Sequence, residues 1–198
     1  MNKFMKNIKN VCVYCGHHNG DALYEKAANN LGVMLAQHQF NLVYGGGRLG
    51  LMGITADAVL KHGGHVIGVI PHYLESFEGA HLGIQELYRV DTMHERKLKM
   101  SERADAFVIM PGGFGTLDEL FEIITWKQLK FHDKPIIIVN INHYWSKLID
   151  MMHSVIDAGF TLPEHRYIFD VSESIEGIFP LLNAAQEPAN PDILSKVL

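Results

Sequence analysis

The sequence predicts an α/β protein built on a doubly wound parallel sheet, with helices on both faces of that sheet. Short apolar runs alternate with longer amphipathic stretches along the 198 residues, and glycine follows three of those runs. No internal repeat, low-complexity segment or linker divides the chain. Strands and helices that alternate at this spacing form a Rossmann-like sheet. We therefore expect one domain over residues 1–198, with poorly ordered ends at residues 1–9 and 187–198.

The first half of the chain is predicted to hold three strands and two helices, each assigned from its apolar pattern. The strands cover residues 10–16, 40–44 and 65–70, and the helices cover residues 21–38 and 51–62. Residues 71–90 lack a long periodic pattern. We expect a long loop there, lying over the strand ends and containing a short strand at residues 86–90.

The second half continues the same alternation of strands and helices. Strands are expected at residues 105–110, 135–140 and 167–171, and helices at residues 91–104, 117–129, 144–158 and 172–186. Local signals define three helix ends. Thr92-x-x-Glu95 is a capping box, Gly159 closes the helix before it, and Ser172 is expected to cap the last helix.

Charge and hydropathy exclude two classes of partner. The net charge of −5 and the scattered positions of the 17 lysine and arginine residues argue against nucleic acid. No apolar run approaches the roughly 20 residues that span a bilayer, so no membrane partner is expected. The first ten residues lack the apolar core and cleavage site of a signal peptide. These features predict a cytoplasmic protein.

Cysteine and histidine patterns give no sign of a metal or redox centre. Cys12 and Cys15 form a C-x-x-C motif, but Cys12 lies inside a predicted strand and no second pair completes a zinc site. Both cysteines are interpreted as small buried residues. The 12 histidines are scattered without H-x-x-x-H or H-E-x-x-H spacing, so no metal is expected.

Residues 45–50 match G-x-G-x-x-G, a pattern that often binds the pyrophosphate of a dinucleotide. That interpretation also requires a carboxylate near the end of the next strand. The strand at residues 65–70 is followed by no carboxylate until Glu75, which disfavours NAD. No cofactor is predicted, although the turn is still suited to bring the backbone close to a phosphate or a sugar.

The richest chemical signal is the stretch MPGGFGTLDELFE at residues 110–122, which follows a buried apolar run. Gly112, Gly113 and Gly115 permit unusual backbone angles and leave amide groups open to an anion. A helix begins directly afterwards, and the N-terminus of a helix favours a phosphate through its free N–H groups and its dipole.

Thr116 is expected to be the N-cap of that helix. Glu119 then has two interpretations of about equal weight: the second half of a Thr-x-x-Glu capping box, or a functional carboxylate. Glu122 lies one turn further along the same face, where a glutamate is usually solvated.

Arg96 also has two interpretations. It shares a helix face with Met93 and Met100 through offsets of three and four residues. A surface arginine that extends over apolar neighbours fits this pattern, and so does an anion ligand beside an apolar pocket. The spacing alone leaves both open.

Three glycine turns follow predicted strands: Gly16, the turn at residues 45–50 that contains Gly46 and Gly47, and the turn at residues 112–115. The carboxyl ends of the strands in a doubly wound sheet share one rim, and ligands bind there where the strand order switches. With the loose segment and the arginine-bearing helix, these turns predict a site for a phosphorylated ligand, most naturally a mononucleotide.

Five blocks of residues resemble the LONELY GUY family of nucleoside 5′-monophosphate phosphoribohydrolases, whose members are often labelled lysine decarboxylases. The blocks are VYGGGRLGLMG at residues 43–53, VIGVIP at 66–71, MHERK at 93–97, PGGFGTLDE at 111–119 and WKQLKFHDKP at 126–135. The resemblance extends over nearly the whole chain. The R-K pair together with P-G-G-x-G-T-x-x-E is a specific signature.

The resemblance implies hydrolysis of the N-glycosidic bond of AMP or an N6-modified cytokinin ribotide, which gives a free base and ribose 5-phosphate. It places the family's catalytic residues on Arg96 and Glu119. The substrate-binding positions that it implies, with the rim glycines, are Gly16, Gly46, Gly47, Glu78, Met93, Lys97, Gly112, Gly113, Gly115, Thr116 and Glu122. It also implies a homodimer, with the helices at residues 117–129 and 93–100 as candidate contact faces.

One departure from the family pattern concerns the end of the first strand. The family usually continues as C-G-S-S, whereas this chain has Cys15, Gly16, His17 and His18. Two imidazoles therefore stand where the family has hydroxyl groups, and they occupy more of the rim. This departure bears on substrate preference.

Three other functions compete with nucleotide hydrolysis. A carrier or sensor of the same fold would hold a nucleotide or a phosphorylated cofactor without cleaving it. A general purine nucleotide nucleosidase for salvage would use the same residues. A lysine decarboxylase is the weakest alternative, because no lysine has the setting of a pyridoxal-linked one. The presence of both Arg96 and Glu119 in their motifs favours an enzyme.

Overall fold

The computed structural model describes residues 8–186, which form one seven-stranded sheet with helices on both faces. The strands are β1 (Asn10–Tyr14), β2 (Asn41–Tyr44), β3 (Val66–Pro71), β4 (Glu86–Val90), β5 (Ala106–Ile109), β6 (Ile136–Val139) and β7 (Asp170–Ser172). Their order in the sheet is β4-β3-β2-β1-β5-β6-β7, and every neighbouring pair is parallel. The predicted doubly wound parallel sheet is therefore confirmed.

Six α-helices lie within the described residues. They are α1 (Ala22–Gln37), α2 (Gly50–Lys61), α3 (Met93–Arg103), α4 (Phe114–Gln128), α5 (Ser146–Asp157) and α6 (Ile178–Gln186). Helices α1, α2 and α6 contribute to the core cluster on one face of the sheet, and α3, α4 and α5 to the cluster on the other face. No helix within residues 8–186 is long and apolar enough to cross a membrane.

Strands β3, β5 and β6 are apolar and buried throughout because both faces of the sheet are covered there. In β1, Val11 and Val13 pack into one core cluster, while Cys12 and Tyr14 pack into the other. This alternation follows from the period of two residues along a strand. Both cysteines are free and buried, so the interpretation of the C-x-x-C motif as packing is confirmed.

Helix α4 begins earlier than the sequence suggested. Its N-cap is Gly113, with no side-chain capping hydrogen bond, so the prediction that Thr116 is the N-cap is wrong. Thr116 instead lies buried in the first turn, against Gly112, where a Cβ would come within 2.2 Å of its Oγ1. The glycine turn lets the chain enter the helix three residues sooner, and Glu119 is therefore not half of a capping box.

The N-cap at the start of α3 is confirmed, since Glu95 N donates to Thr92 Oγ1 at 3.1 Å. The Glu95 carboxylate accepts from Asp91 N at 2.9 Å, one residue before the Thr92 N that a capping box would use. The end of α5 is also as predicted, with Gly159 just beyond the helix in the left-handed region. The expected strand at residues 86–90 is present as β4.

The last strand and helix were placed too early in the sequence. The expected strand at residues 167–171 is β7, which continues to Ser172 because Ser172 pairs with Val139 of β6. Ser172 therefore does not cap a helix, and the helix predicted from that residue begins at Ile178. Apolar periodicity alone did not distinguish the intervening turn from a first helical turn.

The segment between β3 and β4 lies over the carboxyl ends of the strands, as expected. It contains a 3₁₀ turn, His72–Leu74, and one turn of π-helix, Glu75–Gly79. An isolated antiparallel bridge then joins Ala80 to Gly47, with Arg48 N donating to Gly79 O at 2.9 Å and His81 N donating to Gly46 O at 2.9 Å. The segment is thus anchored to the glycine turn after β2.

The predicted poorly ordered ends fall mainly on residues 1–7 and 187–198, outside the described residues. Ile8 and Lys9 are described and belong to the folded domain. Ile8 is buried in the core, and Lys9 N donates to Asp105 Oδ2 at 3.0 Å.

Candidate active site at the switch in strand order

A cavity of about 310 Å³ opens at the carboxyl ends of the central strands. It lies where the strand order switches, since β1 has β2 on one side and β5 on the other. Seven of the predicted site residues line it: Gly16, Met93, Arg96, Gly113, Gly115, Thr116 and Glu119. The fold thus brings the arginine of α3, the carboxylate of α4 and the glycine turn before α4 to one place.

Arg96 is buried, with 5% of its surface exposed, so the interpretation as a surface arginine is wrong. Its Nη2 donates to Gly45 O at 2.7 Å and its Nε donates to Val69 O at 3.2 Å. Its Nη1 lies 3.8 Å from the sulfur of Met93. Two carbonyl groups at the ends of β2 and β3 therefore fix the orientation of the guanidinium beside the cavity.

Gly45 makes this position of Arg96 sterically accessible. A Cβ at residue 45 would lie 2.2 Å from Arg96 Nη2 and 3.0 Å from Met52 Sδ. A Cβ atom does not pack within 3.0 Å of another heavy atom, so a larger residue at this position would displace the guanidinium. The sequence marked the glycine turn but assigned substrate binding to Gly46 and Gly47 instead of this residue.

Glu119 lies half-buried on the second turn of α4 and lines the cavity beside the glycine turn. Burial raises the pKa of the Cys15 thiol well above its usual value, and the negative charge of Glu119 raises it further, whereas Arg96 opposes the shift. Cys15 also lines the cavity, but its thiol stays protonated. The carboxylate of Glu119 is therefore a stronger base candidate than Cys15.

Lys97 and Glu122 do not line this cavity among the described residues. Lys97 Nζ instead lies 3.0 Å from Asp118 Oδ2 and 3.1 Å from Glu122 Oε1. Burial alone would lower the pKa of Lys97, but the hydrogen bonds to both carboxylates outweigh burial and raise it. The expectation of a solvated Glu122 is also wrong, because this residue joins α4 to α3.

Among the described residues, the predicted glycines Gly46, Gly47 and Gly112 do not line the cavity. They form backbone hydrogen bonds and turns around it. Gly46 adopts a φ of 76° and accepts from His81, and Gly47 forms the bridge to Ala80. Gly112 O accepts from Tyr144 Oη at 2.6 Å. The side chain of Glu78, the remaining predicted site residue, lies outside the described part of the structure.

The predicted alternative of an apolar pocket beside Arg96, with Met93 and Met100, is confirmed, but Met52, Tyr73, Leu74 and Phe114 were not predicted from the sequence. Met52 of α2, Tyr73 and Leu74 of the 3₁₀ turn, and Met100 of α3 line the side near Arg96. Phe114 lines the mouth beside the glycine turn and is 91% exposed. Tyr73 and Leu74 could have been inferred, because they directly follow a strand that ends on the binding rim.

Side chains that could bind a metal ion do not form a cluster within residues 8–186. No group of three or more histidine, cysteine, aspartate or glutamate residues there could hold a metal ion. No lysine lines the cavity among the described residues either.

Comparison with known proteins places the chain in a family. Residues 52–182 match a family model described as "Possible lysine decarboxylase". The chain is 40% identical to cytokinin riboside 5′-monophosphate phosphoribohydrolase LOG5 of Arabidopsis thaliana over 190 residues, which cover 96% of this chain and 83% of that protein. The chain belongs to the LONELY GUY family. The resemblance carried by the five motif blocks is thereby confirmed.

A second member of the LONELY GUY family gives the same result. The chain is 46% identical to the probable cytokinin riboside 5′-monophosphate phosphoribohydrolase LOGL9 of Oryza sativa subsp. japonica, over 82% of this chain and 72% of that protein. Among solved structures, a molybdenum cofactor binding protein of Rippkaea orientalis superposes with a TM-score of 0.70 and 17% identity, over 90% of this chain and 97% of that one. This structural likeness shows the shared fold alone.

Proposed function

We propose that this LONELY GUY protein hydrolyses the N-glycosidic bond of AMP-type nucleotides, AMP itself or N6-modified cytokinin ribotides, and releases the base and ribose 5-phosphate. The observation that carries the proposal is the convergence of Arg96, Glu119 and the glycine turn before α4 on one cavity. The relatives named as phosphoribohydrolases at 40% and 46% identity support it.

The cavity divides into regions that suit the three parts of a nucleotide. The start of α4, with Gly113, Gly115 and Thr116, offers free amides and a helix dipole to the 5′-phosphate. The apolar side near Arg96 suits the base, and the three methionines that line the cavity, Met52, Met93 and Met100, can adapt to an N6 substituent. Glu119 lines the same cavity one turn after Thr116 on α4, and we place the ribose beside it.

Glu119 can stabilise the positive charge that develops on the ribose ring as the glycosidic bond breaks. In the balanced reaction, a water oxygen bonds to C1′ and the electron pair of the C1′–N bond leaves with the base. The water loses one proton and the base gains one. We assign the role of orienting and deprotonating the water, or of holding a ribose hydroxyl, to Glu119.

Arg96 is permanently charged and cannot act as that base. Its guanidinium is held by carbonyl groups at the apolar side of the cavity. From that position, it would stabilise electron density on the departing base or bind a ribose oxygen. A forked grip on the phosphate is not supported, because Nε and Nη2 already donate to the backbone.

Incubation of the purified protein with AMP, IMP and isopentenyladenosine 5′-monophosphate tests the proposal. We expect free base and ribose 5-phosphate in equal amounts, measured by chromatography. A strong preference for the prenylated nucleotide would assign cytokinin activation, and similar rates for AMP and IMP would assign purine salvage. Tight nucleotide binding without release of base would identify a carrier instead. Release of cadaverine from lysine would identify a decarboxylase.

A homodimer is also part of the proposal. Five large apolar side chains, which we call the α4–α5 face, are exposed on or beside α4 and α5: Phe121, Leu129, Met151, Val155 and Phe160. They border an open groove of about 1100 Å³ and a smaller pocket of about 230 Å³. A second copy of the chain would cover them. The α3 face is less suitable, because Met100 is fully buried and Met93 lines the cavity.

We further propose a cytoplasmic location for this enzyme. Two free cysteines, both buried and held protonated by burial, are compatible with a reducing compartment. Fractionation of cells that express the full chain with a C-terminal tag tests this proposal, and recovery of the tag with a membrane or secreted fraction would contradict it.

A further inference from the structure

His17 lies on the turn after β1, between two adjoining cavities. It lines the candidate active-site cavity and also a second cavity of about 230 Å³. The neighbouring His18 lines the second cavity and, among the described residues, is not part of the first. The two imidazole rings lie 4.0 Å apart between centroids, so the chain provides a matched pair of adjacent histidines, of which His17 lines both cavities and His18 the second.

The backbone around His17 is held from two sides. Gly16 N donates to Pro111 O at 3.1 Å, and Gly16 O accepts from Leu51 N at 3.1 Å. A Cβ at Gly50 would lie only 2.2 Å from the carbonyl carbon of His17. The turn after β1 is therefore fixed between the start of α2 and the glycine turn that precedes α4.

Strand order places the turn that carries His17 closer to the start of α4 than the two carbonyl groups that hold Arg96. β1 is the direct neighbour of β5, after which α4 begins. Of the carbonyl groups that hold Arg96, Gly45 O directly follows β2 and Val69 O lies within β3, two and three strands away from β5. With about 4.8 Å between neighbouring strands, that separation is roughly 10–14 Å.

A phosphate at the start of α4 therefore needs another donor besides the backbone amides. Arg96 and Glu119 are the charged side chains that line the cavity among the described residues, and their formal charges cancel. A phosphate monoester carries nearly two negative charges at neutral pH. An imidazole N–H can donate to one of its oxygens, whereas the nearby Cys15 thiol is only a weak donor.

We propose that His17 binds the 5′-phosphate of the substrate through a hydrogen bond from its ring and so selects phosphorylated substrates. This inference rests on the proposed function, and it assigns the phosphate end of that site. His18 faces the adjoining cavity and has no such role.

Direct binding of ribose 5-phosphate and of AMP, measured by titration calorimetry, tests this role without requiring turnover. Loss of a hydrogen bond to a charged group is expected to weaken binding of both ligands by about 10- to 100-fold in His17→Ala. The matched variant His18→Ala is expected to bind both ligands within about twofold of the original protein. His17→Gln, whose amide can still donate, is expected to recover part of the loss.

A kinetic comparison separates binding from structure. His17→Ala should raise KM for the hydrolysed nucleotide while kcat changes by less than about threefold, and the binding of adenosine should be unchanged. Equal binding by His17→Ala and the original protein, an equal loss in His18→Ala, or an equal loss for adenosine would overturn the role of His17. Absence of binding by the original protein would do the same. If no nucleotide is hydrolysed but the binding differences appear, the proposed hydrolysis fails while the phosphate contact of His17 stands.

Discussion

Single residues at the carboxyl ends of the strands decide what the cavity can do. Arg96 approaches the backbone of β2 closely because residue 45 has no side chain. Two carbonyl groups then hold the guanidinium in one position, whereas an arginine on the surface would be surrounded by mobile solvent. Pre-organised charges of this kind stabilise a transition state without a reorganisation cost.

Gly45→Ala should abolish most of the activity while leaving the fold intact. The added methyl group would lie within van der Waals overlap of Arg96 Nη2, so the guanidinium must move away from its carbonyl partners. We expect a loss of at least about 100-fold in kcat/KM. Gly83→Ala, in the exposed segment before β4, is the control and should retain activity within about twofold. A fully active Gly45→Ala would show that this position of Arg96 is not required.

Glu119→Gln should lower kcat by about 100- to 10,000-fold while AMP binding persists. The thermal midpoint should change by less than about 2 °C, because glutamine has nearly the same shape as glutamate and the N-cap of α4 is Gly113. Turnover assays and differential scanning calorimetry measure the two effects separately. A stable folded variant with near-normal turnover would exclude Glu119 from the chemistry.

The sequence predicted Arg96 and Glu119 but could not decide between their alternatives. Whether Arg96 is on the surface or buried depends on carbonyl groups 27 and 51 residues away in the chain. The capping alternative for Glu119 failed because the preceding glycines admit a helix start that propensity does not predict. Tyr73 and Leu74 were missed because an irregular segment carries them, and such segments lack periodicity.

At the scale of the elements, Lys97 connects the helix of the arginine to the helix of the carboxylate. Its ammonium group on α3 contacts Asp118 and Glu122 of α4, and both of these residues lie near Glu119 in sequence. The ion pairs therefore help to fix the separation of the two proposed catalytic groups. The interpretation of Lys97 as a nucleotide ligand is less well supported than this positioning role.

Lys97→Met should destabilise the protein by about 2 kcal/mol and lower activity without abolishing nucleotide binding. Removal of a buried partner leaves carboxylates unpaired, although the 59% exposure of the Asp118 side chain lets water compensate in part. Urea unfolding measures the loss of stability. Lys99→Met is the matched control, since its distance of 3.9 Å from Glu102 and its exposure predict a change below about 0.5 kcal/mol. If both substitutions lowered the free energy of unfolding equally, the ion pairs of Lys97 would have no special role in stability.

The connection between α4 and β6 carries a histidine whose protonation should weaken the fold. Burial lowers the pKa of His132 below its ordinary value of 6.5, the hydrogen bond to Ile123 O opposes this shift, and the charges of Lys134 and Lys127 add to it. Its Nδ1 accepts from Lys134 N at 3.2 Å, which requires the neutral ring. The stability that neutral His132 contributes is therefore fully present above pH 6.5, and it is lost as the pH falls through the lower pKa of this histidine in the folded protein.

His132→Gln should flatten this dependence. The free energy of unfolding of the original protein should fall more steeply between pH 7 and pH 5 than that of the variant, as measured by urea titration at each pH. His94→Gln, at an exposed position on α3, serves as the control and should keep the original slope. Parallel curves for His132→Gln and the original protein would contradict the assignment.

The starts of α3 and α6 show where the local sequence pattern was sufficient to predict a helix boundary and where it was not. The start of α3 was predictable because the hydrogen bond of its N-cap, Thr92, spans only four residues. The start of α6 was not, because Ser172 is drawn into β7 by its pairing with Val139 of β6, 33 residues earlier in the sequence. Tertiary pairing outweighed the local preference of serine for a helix N-cap.

For the whole molecule, the alternation of strands and helices was enough to predict the doubly wound sheet. It was not enough to give the strand order, which places β1 between β2 and β5 and so creates the site. The apolar surface is also a property of the complete fold. Phe160 lies in a turn and Val155 on α5, and they become one face with α4 only after folding.

Val155→Glu should convert the proposed dimer into a monomer. A carboxylate inside an apolar contact would lose its hydration without a partner, which is strongly unfavourable. Light scattering after gel filtration should then give the chain mass of 22.3 kDa for the variant and twice that mass for the original protein. Leu82→Glu places the same charge at an exposed leucine outside the α4–α5 face and should remain dimeric. A monomeric original protein would refute the dimer.

The bridge between Gly47 and Ala80 makes two amide protons into reporters of substrate entry. Arg48 N and His81 N donate to Gly79 and Gly46 across this bridge, and the segment with Tyr73 and Leu74 leads directly into it. If that segment swings away from the strand ends, both hydrogen bonds must break together. The deuterium exchange rates of the Arg48 and His81 amides should therefore change in parallel, and both should decrease when a nucleotide occupies the cavity.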